Sequence, residues 1–282
     1  MSSKTNNSLQ TVYEPELKPS ESSPIRAVVF DLGGVCVRSP GHAIAHYERE
    51  LGLPRQYIGV TLAFAGESGP FQRFERGEIH LDEYVERFQA DLHAESSVAQ
   101  YCAWVAKKDS RDSGSDRASI DQASLCELVG KIDARALFTR MMREANWTVP
   151  LMVQAIEHLK ATGKYKIGCI TNDYQIPNHR PRADVVHLMN LFDEVVSSSL
   201  VGIRKPDPRI YHLLFERLNM APHECVFLDD LVINIRAAQQ VGMTAILVAS
   251  AEQAVADLEG VLALPILSEI GREEAPVPSS KL

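Results

Sequence analysis

Four short stretches of this sequence carry residue types able to do chemistry, and each follows an apolar run. Residues 26–30 (Arg-Ala-Val-Val-Phe) lead into Asp31, Leu32 and the pair Gly33-Gly34. Residues 165–170 lead into Thr171-Asn172, and residues 225–228 into Asp229-Asp230. Lys205 stands in the loop Gly202-Ile203-Arg204-Lys205-Pro206-Asp207-Pro208. Taken singly, each has an ordinary reading: an Asp that opens a turn, turn-forming Thr and Asn, a solvated loop cation, a second acidic turn. Together they make one carboxylate, a hydroxyl and amide pair, one ammonium and an acidic pair, a set that turns alone do not require. The chemistry it suits is phosphoryl transfer to a carboxylate. An oriented Asp is a competent covalent nucleophile once its charge is balanced against an incoming phosphate dianion. Mg²⁺ held by Asp31 and an acid of the 229–230 pair, with several waters retained, would do the balancing. Lys205 would neutralise further charge, and Thr171 with Asn172 would hydrogen-bond the phosphate oxygens.

These groups meet only if particular elements carry them. A run apolar on both faces reads as a strand buried in a parallel sheet, here continuing to Val37 before the turn Arg38-Ser39-Pro40-Gly41. In open α/β sheets, ligands bind just beyond the carboxyl ends of such strands. From residue 149 the pattern alternates: helix 149–162, strand 165–171, helix 183–191, strand 194–200, helix 208–219, strand 225–229, helix 232–241, strand 244–249, helix 252–261. That alternation predicts an α/β fold with a Rossmann-like, doubly wound parallel sheet. Helical patterns at 42–51, 57–65 and 81–92, punctuated by Pro54, Gly66, Gly69, Pro70 and Gly77, predict an α-helical cap inserted after the first strand. The expected organisation is a flexible tail (1–23), a core (24–40 and 146–266), a cap (41–145) and a second flexible tail (267–282). Within the cap, 107–122 is almost all charged, Ser or Gly and reads as a disordered loop.

Composition narrows the partners. The 282 residues are 45% hydrophobic and 23% charged with a formal net charge of -8, which argues against a nucleic-acid binder or a polybasic membrane-surface protein. Five scattered cysteines, an odd number with no close pair, suit a reducing compartment, and Cys36, Cys169 and Cys225 read as buried small hydrophobes. No run approaches the ~18 apolar residues of a membrane span, and the first residues lack the apolar stretch of a signal peptide. Ser280-Lys281-Leu282 matches the peroxisomal address, so a peroxisomal import receptor is an expected partner and the peroxisome the expected location, with the cytoplasm as alternative. Nothing in the sequence bears on oligomeric state.

With the four stretches in this order, residues 24–266 resemble the haloacid dehalogenase superfamily. Within it they are most similar to the amino-terminal phosphatase domain of bifunctional soluble epoxide hydrolases and the related domain fused to some acyl-CoA dehydrogenases. The resemblance implies Asp31 as nucleophile, Lys205 as catalytic and phosphate-binding lysine, and Thr171 and Asn172 as further phosphate-binding residues. It also implies Mg²⁺ on Asp31, the main-chain carbonyl of Gly33 and Asp230, with Asp229 orienting the metal's waters. One departure stands out. Family phosphatases carry a second Asp, a general acid, where this chain has Gly33, and general acid help is worth ~10² to 10⁴ in rate. The expected activity is therefore a Mg²⁺-dependent phosphatase acting through an aspartyl-phosphate on a small phosphorylated metabolite, slow or restricted to good leaving groups. Two alternatives stay open: a catalytically weak ligand-binding or regulatory protein, and a 2-haloacid dehalogenase, against which the preserved acidic pair argues. Substrate choice is expected from Phe71, Arg73, Phe74, Arg76 and the turn at Gly77, with His179-Arg180-Pro181-Arg182 as a second basic loop. Ile79, Tyr84 and Phe88 read as cap core.

Overall fold

The computed structural model describes residues 24–109 and 121–273. Its central strand, β1 (Ala27–Phe30), is buried on both faces. Successive side chains alternate, so Val28 and Phe30 enter one apolar cluster while Ala27 and Val29 enter another. β1 pairs in parallel with β2 (Lys166–Thr171) on one side and β4 (Cys225–Asp229) on the other. β3 (Glu194–Ser197) and β5 (Thr244–Leu247) complete a five-stranded sheet of order β3-β2-β1-β4-β5. The chain runs outward through β2 and β3 and then returns to β4 and β5. The connections thus diverge between β1 and β4, the place where such sheets open a crevice.

Among the described residues, seven α-helices lie between β1 and the helix that leads back into the sheet: α1 (Pro40–Glu50), α2 (Tyr57–Ala65), α3 (Pro70–Glu75), α4 (Leu81–His93), α5 (Glu95–Asp109), α6 (Gln122–Val129) and α7 (Ala134–Glu144). They build an apolar core of their own from Tyr57, Phe74, Ile79, Tyr84, Phe88, Leu137 and their neighbours. The remaining helices flank the sheet: α8 (Pro150–Ala161), α9 (Ala183–Leu191), the short α10 (Ser198–Val201), α11 (Pro208–Leu218), α12 (Val232–Gln240), α13 (Ala251–Leu262) and α14 (Leu267–Glu273). Met152, Ile156 and Leu159 of α8 and Val255 and Leu258 of α13 cover the Val28 face; Ile210, Tyr211 and Leu214 of α11 and Ile235 of α12 cover the Val29 face. Among the described residues no helix is long and apolar enough to cross a membrane.

Several expected boundaries move. The first strand stops at Phe30 rather than Val37, because Val35, Cys36 and Val37 turn back and donate their amides to the Leu32 carbonyl (3.2, 2.9 and 2.8 Å). Those residues are apolar because they enter the core, which made them read as strand. The third strand ends at Ser197 and continues as α10, and α1 begins at Pro40, capped by Ser39 Oγ. α3, α5, α6 and α7 were absent from the sequence expectation. The expected loop 107–122 contracts from both ends, since α5 runs through Asp109 and α6 starts at Gln122 with Asp121 as its cap. What remains of that loop, 110–120, lies outside the described residues, as do 1–23 and Ser280-Lys281-Leu282. The expected tail from 267 is also corrected: it opens as α14, whose Ile270 is 7% exposed and packs into the core beneath the sheet.

The packing of α14 has a measurable consequence. Ile270→Ala should lower unfolding free energy by about 2 to 5 kcal/mol in urea titrations, the cost of emptying a buried aliphatic site. A change within about 0.5 kcal/mol, as for an exposed residue, would return this segment to the status of a loose tail.

Candidate active site

The register of the sheet brings Asp31 and the Asp229-Asp230 pair together. Phe30 pairs with Leu228, and the Asp31 amide continues the ladder by donating to the Leu228 carbonyl at 2.9 Å, which sets Asp31 beside Asp229. Asp31 Oδ1 accepts two hydrogen bonds, from the Leu32 amide and from Lys205 Nζ, both at 2.7 Å. No hydrogen bond among the described residues ends on Asp31 Oδ2, which leaves that oxygen for an electrophile or a cation.

Lys205 arrives from the loop after α10, and Asn172 holds it there. The Asn172 side chain accepts from the Lys205 amide (2.8 Å) and donates to the Lys205 carbonyl (3.1 Å). From this anchor the ammonium reaches inward, 2.7 Å from Asp31 Oδ1 and 2.7 Å from Asp229 Oδ2, with 1% of the side chain exposed. The Asn172 carboxamide thus has a structural task, its oxygen and one of its two N–H donors holding the lysine's main chain, with the second N–H left over for a phosphate oxygen. Thr171 is buried at the end of β2, and among the described residues its hydroxyl makes a single hydrogen bond, to the Asn172 carbonyl at 3.5 Å, a weak contact that leaves it available to a ligand.

Asp229 is fully buried, and both its oxygens are engaged: Oδ1 by the Leu231 amide (2.8 Å), Oδ2 by Lys205, and each by Asn234 Nδ2 at 3.0 Å. Sequence reasoning missed Asn234. The signal available was its spacing, five residues past Asp229 in the first turn of α12, where a side chain points back toward the strand end. Asp230 lies against the bare Cα of Gly34. A Cβ on Gly34 would run into Asp230 Oδ2, and the residue's φ of +84° independently favours glycine. Gly33 is different: its φ is ordinary, and a Cβ there would meet only Pro40 Cδ at 3.7 Å.

Electrostatically the site is short of positive charge. Asp31, Asp229 and Asp230 can each place one oxygen within 4.8 Å of the others, against the one ammonium of Lys205. Burial, reinforced by Asp229, pushes Asp31 up to about 7 despite the opposing ammonium, and burial with Asp229 pushes Asp230 up to about 6. Burial pulls Lys205 down, yet Asp31 and Asp229 outweigh it and hold the ammonium above the ordinary lysine range. Clustered hard carboxylate oxygens carrying uncompensated charge suit a divalent cation of the Mg²⁺ type, and the Gly34 cradle gives Asp230 its place beside it.

The residues expected to choose substrate divide. Phe74 is 1% exposed and stacks between Tyr84 and Tyr174, so it belongs to the cap core with Ile79, Tyr84 and Phe88. Arg73 and Arg76 are both tied to Glu78, and Arg76 also to Glu67. Arg182 stacks on Trp147 at 3.9 Å and bonds Asp184.

A family model for haloacid dehalogenase-like hydrolases matches residues 25–242. The chain is 32% identical over 241 residues to acyl-CoA dehydrogenase family member 10 of Mus musculus, covering 86% of this chain and 19% of that protein. It is 29% identical over 248 residues to bifunctional epoxide hydrolase 2 of Sus scrofa, covering 86% of this chain and 40% of that protein. A shorter match, 35% identical over 94 residues, joins 33% of this chain to 43% of phosphatase MT3486 of Mycobacterium tuberculosis (strain CDC 1551 / Oshkosh). The chain thus spans less than half the length of each of the first two relatives.

The raised carboxyls give a pH dependence of known sign. A carboxyl that binds its proton more tightly when folded contributes stability in full below its unfolded value of 3.8 and loses it as pH rises through about 6 to 7. In EDTA, the Tm advantage of the wild type over Asp230→Asn should shrink as pH rises from about 5 to about 8, and saturating Mg²⁺ should reverse that trend. A difference that stays flat in EDTA, or is indifferent to Mg²⁺, would contradict the charge deficit.

Proposed function

Because the chain belongs to the haloacid dehalogenase-like hydrolases, we propose that it is a Mg²⁺-dependent phosphatase that transfers the phosphoryl group of a small phosphorylated metabolite to Asp31. The observation that carries this reading is the shared ammonium. Lys205 Nζ lies 2.7 Å from both Asp31 and Asp229 and, among the described residues, one oxygen of Asp31 is left without a hydrogen bond. Asp31, Asp230 and the Gly33 carbonyl would hold the metal, with Asp229 behind them; when bound it would offset the phosphate's negative charge and polarise the phosphoryl group.

Asp31 Oδ2 attacks phosphorus, the bond from phosphorus to the leaving oxygen breaks, and that oxygen departs with the electron pair. Water then attacks phosphorus, inorganic phosphate leaves, and Asp31 regains its carboxylate. Lys205, held protonated by its two partners, neutralises charge through both steps, and the Thr171 hydroxyl donates to a phosphate oxygen. No acid at position 33 protonates the leaving oxygen. Substrates with stable leaving groups (acyl phosphates, anhydrides, aryl esters) are therefore favoured. The same glycine supports a second reading, a protein that binds phosphorylated ligands and turns them over very slowly. Import into peroxisomes through Ser280-Lys281-Leu282 is part of the proposal; deleting those three residues should leave a tagged chain in the cytosol, and an unchanged distribution would remove it.

Phosphate release from aryl phosphates should require Mg²⁺, stop in EDTA, and fall by at least ~10³ in Asp31→Asn. Release indifferent to either change would overturn the reading, and no release from wild type would favour the second. Gly33→Asp has room for its Cβ and should raise turnover of alkyl phosphates by about 10² while changing aryl phosphates far less. Equal gains, or none, would remove this account of Gly33.

A further inference from the structure

The residue before the buried lysine, Arg204, faces the cap. Its Nε lies 2.6 Å from Glu75 Oε2 and its Nη1 2.8 Å from Glu67 Oε1. Glu75 ends α3, and its side chain is 6% exposed against 16% for Arg204. A second contact joins the same cap residue to the other phosphate-side loop. Ser198 Oγ donates to the Glu75 carbonyl at 2.6 Å and accepts from the Asp173 amide at 2.9 Å. The approach is close enough to need a glycine, since a Cβ on Gly77, whose φ is +67°, would stand 2.5 Å from the Ser199 carbonyl oxygen. The contacts close into a ring: Glu75 to Arg204, Lys205 to Asn172 through its main chain, Asp173 to Ser198, and Ser198 back to Glu75. One cap residue therefore fixes both loops that follow β2 and β3.

Pairing charges with so little exposure contributes little net stability, whereas removing one partner strands the other. The pair is better understood through geometry. Lys205 meets two carboxylates at once, and its backbone is held from the core by Asn172 and from the cap through Arg204. We propose that Glu75 and Arg204 form a latch through which the seated cap holds Lys205 in register, making Glu75 a positioning residue for the phosphoryl transfer proposed above, on which this inference rests. Among the described residues Glu75 makes no hydrogen bond or ion pair with the carboxylate cluster or with Lys205, although its charge and that of Lys205 attract across the gap. It acts through Arg204 on one side and Ser198 on the other.

Two readouts test the latch. With p-nitrophenyl phosphate, Glu75→Gln should lower kcat by about 10- to 100-fold, the usual penalty for an ångström-scale misplacement, with KM changed by less than about 3-fold. Glu75→Asp should recover part of the loss. Glu50→Gln, which breaks an exposed cap pair with Arg140, should change nothing. Independently of turnover, acetic anhydride labelling read by peptide mass spectrometry should modify Lys205 several-fold faster in Glu75→Gln than in wild type, with the exposed Lys131 unchanged. If Glu75→Gln does not fold, Arg204→Lys, which keeps the charge but loses the two-carboxylate reach, takes its place. Folded variants with wild-type kcat and wild-type Lys205 labelling overturn the latch. Faster Lys205 labelling supports it even where the wild type itself releases no phosphate, so failure of the phosphatase reading is read separately.

Discussion

Lys205 shares its ammonium between Asp31 and Asp229 at 2.7 Å each in a space almost closed to water, and much of the surrounding architecture keeps that arrangement dry and in register. A buried ammonium is tolerated only when carboxylates meet it, and buried carboxylates only when a cation and hydrogen-bond donors meet them. The sheet supplies the carboxylates from adjacent parallel strands. Asn234 and the Leu231 amide satisfy Asp229, the Leu32 amide satisfies Asp31, and Asn172 fixes the lysine's backbone. Even so, three acids face one ammonium. That imbalance invites a divalent cation and, with it, a phosphate dianion.

The cap extends the same constraint outward. A lysine that must meet two oxygens at once cannot ride on a loose loop, and the loop bearing it is gripped from the core by Asn172 and from the cap by Glu75 through Arg204. The aromatic stack of Phe74, Tyr84 and Tyr174 shows how the cap side of that grip is made firm, because Tyr174 follows the β2 loop yet packs among cap rings.

What the sequence made legible follows physical range. β2, β4 and the helices at 183–191 and 208–218 were readable because apolar runs, a proline start and a capping Asp207 are local signals. Asp31, Lys205 and Asp229-Asp230 were readable because a charged residue closing or following an apolar run is conspicuous. Val35 to Val37 misled because burial in a turn and burial in a strand look alike in composition. α7 was missed although its buried Ala134, Leu137, Phe138 and Met141 keep helical spacing, and α14 was missed because its anchor, Ile270, lies in a short polar segment. The hold of Asn172 on Lys205 was not legible because its partner is a main chain 33 residues away, a contact that only the fold creates.

The central claim is that Asp31 itself receives the phosphoryl group. The direct measurement is to mix the protein with Mg²⁺ and an aryl phosphate, quench in acid within the first turnover, reduce with borohydride and map the modified peptide by mass spectrometry. The expected result is conversion of Asp31 alone to homoserine, dependent on substrate and absent in EDTA. No conversion during demonstrable phosphate release, or conversion at a different residue, would contradict it.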